Sequence, residues 1–159
     1  VRKLARTIHF DESDRNVFAR PAASDEWALS GGFEFSNWTS GELTGKARQA
    51  FANGWLGLES FGRATFVAVA KIEQEELDAL TESLAAHFET YYGAPGREAA
   101  LAAAREEIGF MEELCEDQEP NTLLIVEREL TDAGVREKFR AIRPQDADIT
   151  QVAVHGAGE

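Results

Sequence analysis

Cysteine occurs once in the 159 residues, as Cys115, so the chain alone can close no disulfide and build no multi-thiolate zinc or iron–sulfur site. A reducing compartment, and hence a cytoplasmic location, is expected. Histidine is nearly as scarce: His9, His87 and His155 lie far apart, with neither His-Glu-x-x-His nor Glu-x-x-His spacing, so the common helical metal motifs are missing. No apolar run approaches the ~20 residues of a membrane span. At the start, Arg2, Lys3 and Arg6 give way to His9, Asp11 and Glu12 before any signal-length apolar stretch forms, so no export signal is expected.

Glycine is present but never in a phosphate-binding arrangement. Gly45 and Lys46 resemble the end of a P-loop, yet Ser40 replaces its first glycine and Ala47 its metal-binding hydroxyl. Gly31, Gly32, Gly54, Gly57 and Gly62 form no dinucleotide fingerprint, and there is no Gly-x-Ser-x-Gly elbow. Positive charge is also short: 16 Lys and Arg face 29 Asp and Glu, for a net charge of −13. Nucleic acid and anionic membranes are therefore not expected partners, since both need clustered cations.

The negative charge is concentrated. From Glu73 to Glu119 there are fourteen acidic and two basic residues, so this block carries −12 of the −13. The remainder is nearly balanced. With 43% hydrophobic residues, ten Phe and three Trp, the chain has enough apolar material for one core, and a single domain over 1–159 is expected, with 155–159 as a frayed tail.

Ala5 to Phe10 and Val17 to Arg20, around the polar cluster 11–15, predict a hairpin. Trp27 to Ser36 predicts a third strand, bulged or split at Gly31 and Gly32. Thr39 and Glu42 have capping-box spacing ahead of a short helix ending near Gly54. Trp55 to Glu59 and Arg63 to Ile72 predict another hairpin, with Thr65 to Ala70 as a central strand.

Two long helices follow. Leu77, Leu80, Leu84, Phe88 and Tyr91 mark one, opened by Glu73. Leu101, Ala104, Ile108, Met111 and Cys115 mark the next, begun near Arg97. Asn121 to Glu129 returns to β character, Asp132 to Pro144 predicts a last short helix with Val135, Phe139 and Ile142 inward, and Ile149 to Val154 a terminal strand. The expected class is α+β: a mostly antiparallel sheet of five or six strands, with a long helical hairpin and shorter helices packed on one face.

On the second long helix Glu106, Glu113 and Asp117 fall within about 40° of one another, opposite the apolar stripe, flanked by Glu98, Glu112 and Glu116. Several are like-charge neighbours at i+3 or i+4, and four sit in the C-terminal turns, where the helix dipole already disfavours anions. Three compensators are open: the basic residues Arg136, Lys138, Arg140 and Arg143, a basic partner surface, or a divalent cation, for which no calcium-loop spacing is present. A docking face made of Glu106, Glu112, Glu113, Glu116 and Asp117 is the leading functional reading, with no cofactor, no metal and no catalytic residue.

The alternative is a small-ligand pocket or enzyme site among Trp27, Phe33, Phe35, Trp38, Arg63 and Phe66, residues that equally suit the hydrophobic layer beneath the helices. His87 reads as a boundary ring packed at the edge of a helix face. Cys115 reads as a buried thiol, because it sits on the core stripe beside Glu112, Glu116 and Asp117.

Taken together, with segments such as Trp27–Phe35 (WALSGGFEF) and Trp55–Gly62 (WLGLESFG), the chain resembles an uncharacterised family of small proteobacterial proteins along nearly its whole length. The resemblance carries over no catalytic residues. It implies an accessory role, since some members accompany accessory factors of molybdenum or iron–sulfur enzymes.

Overall fold

The computed structural model describes residues 2–8, 18, 20–35 and 45–142. Strand β1 (Lys3–Ile8) is followed by β2 (Trp27–Leu29), a 3-10 turn (Gly32–Phe35), α1 (Gly45–Asn53), β3 (Trp55–Gly57), β4 (Arg63–Ala64) and β5 (Phe66–Lys71). Then come α2 (Gln74–Tyr91), α3 (Arg97–Glu116), β6 (Leu123–Thr131) and β7 (Gly134–Ile142). Among the described residues these strands form one seven-stranded sheet in the order β4-β3-β2-β1-β5-β6-β7, every neighbouring pair antiparallel. The class is α+β; the strand number exceeds the expected five or six.

The excess has two sources. Arg63 to Ile72 is not one arm: Arg63–Ala64 pairs with β3, while Phe66–Lys71 runs between β1 and β6 as an interior strand. The second source is Gly134–Ile142, which is a strand and not the expected helix. Val135, Phe139 and Ile142 fit a 4,3 spacing on a helix. The element actually alternates, with Val135, Glu137 and Phe139 half-buried between exposed Arg136, Lys138 and Arg140. The charge on Glu137 hid the period of two.

Other differences are local. Phe18 is buried but not in a strand, so the partners of β1 are β2 and β5 instead of a Val17–Arg20 arm. The strand expected over Trp27–Ser36 stops at Leu29, because Gly31 turns the chain with φ +73° into the 3-10 turn. The 11–15 turn, the Thr39 and Glu42 capping pair, Trp38, Arg143 and the 149–154 strand lie outside the described residues.

The two long helices form where expected. Glu73 caps α2 reciprocally with Glu76, and Leu77, Leu84, Ala85 and Phe88 are buried. In α3 Ala100, Ala104, Ile108, Met111 and Cys115 are buried. α2 and α3 pack on each other, α3 also against β1 and β2, while α1 lies against β6 and β4.

The sheet is strongly curled. β3 and β7 are five strands apart in the order, about 24 Å in a flat sheet at ~4.8 Å per step. Yet the rings of Trp55 and Phe139 have centroids 5.7 Å apart. This curl brings side chains of β6 and β7 to the turns after β2 and before β3.

Candidate functional site

Where the curled sheet closes, charged side chains from four segments meet. Arg63 of β4 donates to the carbonyls of Gly31 (3.0 Å) and Gly54 (3.1 Å) and pairs with Glu34 of the 3-10 turn. Arg128 of β6, whose side chain is 0% exposed, donates to the carbonyls of Phe51 and Gly54 at 2.9 Å and to that of Ser30. A cation at the C-terminal end of α1 complements that helix's exposed carbonyls. Glu137 stands opposite Arg128 in the β6–β7 ladder, accepts from its Nε at 2.7 Å, and accepts from the Ser30 hydroxyl at 2.7 Å. The ring of Phe35 lies 4.6 Å from the Arg63 guanidinium and 5.3 Å from that of Arg128.

Close approach sets the residues of the turn. A Cβ on Gly31 would meet Leu56 and the Arg63 guanidinium, and one on Gly32 would overlap the Glu137 carboxylate. Burial, then the neighbouring Arg63, pushes the Arg128 guanidinium down to about 10, and it stays cationic at neutral pH. Glu137 is thus paired with a buried cation and held by two donors, Arg128 Nε and the Ser30 hydroxyl.

Beside this cluster a cavity of about 340 Å³ opens between the 3-10 turn, α3 and β7, lined by Ser30, Phe33, Glu106, Glu107, Phe110 and Glu137 among others. Phe110 is 41% exposed. Burial, then Glu137 and Glu106, raises the Glu107 carboxyl above its ordinary value. Among the described residues no group of three or more His, Cys, Asp and Glu is arranged to hold a metal ion.

The expected docking residues have different surroundings. Glu112 lies 3.6 Å from Arg2, and the Glu116 carbonyl, with that of Gln118, accepts from Lys3 Nζ at 3.3 and 2.7 Å. Glu106, Glu113 and Asp117 are exposed, and no cation pairs with them among the described residues. Two members of the basic cluster are used elsewhere: Arg136 pairs with Glu129 (3.2 Å) and Arg140 with Glu127 (3.8 Å) across the β6–β7 ladder.

The aromatic set is dispersed. Trp27 lies under the Arg6 guanidinium at 3.9 Å and donates to Glu76, whereas Phe35 and Arg63 belong to the cluster just described. Phe33 borders the cavity and packs edge-on against Phe88 and Tyr92; Phe66 is half-buried at the end of the β1–β5 ladder. His87 stacks flat on Phe61 at 3.8 Å with its Nε2 unpartnered, and burial is the largest of the influences that lower its pKa, which keeps it neutral. Cys115 is buried, and burial pushes its thiol up to about 12. Labelling of the folded chain by a thiol reagent at neutral pH is therefore expected to be negligible, and to become complete in urea.

Residues 2–159 match the model of a family of unknown function, DUF6505. The chain belongs to that family. The DUF6505 match covers nearly the whole chain, as the resemblance of the Trp27–Phe35 and Trp55–Gly62 segments implied. No curated protein and no solved structure matches the chain significantly. In this DUF6505 member no described helix is long and apolar enough to cross a membrane.

The residues that sequence reasoning passed over are Arg128, Glu137 and Glu107. One signal was present: Glu107 falls in the 4,3,4 spacing of Ala100, Ala104 and Met111, an acid in core register.

Proposed function

We propose that the chain is a non-catalytic interaction or accessory protein, whose helical pair covers one face of the sheet and turns an acidic side outward to dock a basic partner surface. The observation that supports this is the lack of any cation paired with Glu106, Glu113 and Asp117 among the described residues, while Arg136 and Arg140 serve their own strands. Like charges near the negative end of a helix are each disfavoured by ~0.3–1 kcal/mol, and a cationic partner relieves that cost. The family resemblance makes a metallo-redox enzyme system the first place to seek this partner.

The test is a pull-down from lysate of the source cells with the wild-type chain and a Glu113→Lys, Asp117→Lys variant as baits. Recovery is expected to weaken as salt rises and to be lost with the variant, whose melting temperature is unchanged or raised because the repulsion is gone. Recovery indifferent to salt and to both reversals, or a clear fall in melting temperature, overturns the reading.

A further inference from the structure

The acidic side of α3 leads, through Glu106, into the cavity bordered by Phe33, Phe110 and Val135, whose other walls carry Glu107 and Glu137. We propose that this aromatic-walled groove is the anchor of the docking face, receiving the guanidinium of an arginine side chain carried by the basic partner. The inference rests on the docking reading and makes it specific.

Charge complementarity selects the occupant. Glu137 is already neutralised by Arg128, so it adds no net charge, but Glu106 and Glu107 have no cation among the described residues. A cation entering beside them offsets the burial and the like charges of Glu137 and Glu106 that raise the Glu107 carboxyl above its ordinary value. A metal ion is disfavoured by the donor arrangement, since among the described residues no three His, Cys, Asp or Glu side chains are grouped to hold one. The walls then distinguish between organic cations. Phe33 and the exposed Phe110 put aromatic rings in the wall, and a planar guanidinium stacks on such rings while its fork pairs with carboxylates; an ammonium does neither as well. The volume of about 340 Å³ suits a single side chain, at the small end of ligand cavities.

The experiment uses the full chain and two fluorescent peptides, one alternating arginine with serine and the other lysine with serine. The arginine peptide is expected to bind about tenfold or more tightly than its lysine counterpart, and Glu107→Gln to weaken it about tenfold. Phe110→Ala should weaken it severalfold and reduce the preference for arginine, while arginine amide competes. Melting temperatures report whether the variants keep the fold, and Glu106→Gln, on the exposed side, serves as a second carboxylate variant. Equal binding of the two peptides, no binding of either, or full affinity retained by Glu107→Gln and Glu106→Gln overturns the anchor. If Glu113→Lys with Asp117→Lys still weakens binding in that last case, the docking face stands without the anchor.

Discussion

Replacing Arg128 with Met is expected to destabilise the fold by about 3–5 kcal/mol, read as a lowered urea midpoint. The side chain is wholly buried and joins the Glu137 carboxylate to the carbonyls of Phe51, Gly54 and Ser30, of which the last two also accept from Arg63. Without it the Glu137 carboxylate keeps only the Ser30 hydroxyl, and the carbonyls of Phe51 and Gly54 lose a donor at 2.9 Å. Most of the loss arises from those stranded partners and little from net attraction within the pair, because two buried charges repay their own desolvation only in part. A second change, Glu137→Leu, should therefore restore part of the stability, since it removes the unpaired carboxylate. A double variant no more stable than Arg128→Met would mean that the carbonyls, not Glu137, dominate.

Glu26→Ala is expected to cost about 3 kcal/mol, measured in the same way. Glu26 is buried and acts as the hub of a loop: its carboxylate accepts from the backbone N–H groups of Ala23 (2.7 Å), Glu59 (3.0 Å) and Ser60 (2.9 Å) and from the Ser60 hydroxyl (2.7 Å). Burial alone pushes this carboxyl up, but the hydrogen bonds from Ser60, Ala23 and Glu59 outweigh it and hold the group below its usual value. The sign follows from linkage. A carboxyl whose folded pKa lies below its unfolded value of about 4.3 stabilises the protein above that pH, and the contribution disappears as pH falls through the folded value. The stability difference between wild type and Glu26→Gln should thus be constant near neutrality and shrink in acid. A difference that stays flat into acid would mean Glu26 is buried as the neutral acid.

Elements whose periodicity is carried by apolar residues were legible in the sequence. Leu77, Leu84 and Phe88 on α2 and Leu124 and Val126 on β6 announce their burial because nothing charged interrupts them, and Ala104, Ile108 and Met111 on α3 do so despite Glu107 in their register. The closing cluster was not legible, for the opposite reason. Arg128 and Glu137 occupy inward positions of their strands, and a buried charge looks in sequence like a solvated one until its partner is known. Glu26 was hidden similarly, since an acid next to Asp25 and before Trp27 gives no sign of the donors that fold around it. The acidic side of α3 was visible as a helix face, but which acids find cations depended on tertiary neighbours such as Arg2, which lies beside Glu112.

The curl of the sheet has a consequence for how the chain comes together. Ser30 and Arg128, joined at its seam, are 98 residues apart, whereas β6 and β7 meet through a short local turn. Bringing remote segments into register costs loop entropy before any contact rewards it, so fastening the last hairpin to the earlier strands is expected to be the late, slow step. During synthesis a nascent polypeptide that has emerged only through Thr122 carries Arg63 and Glu34 but neither member of the pair that seals them in, and the seam stays open to water until the ribosome has delivered β7.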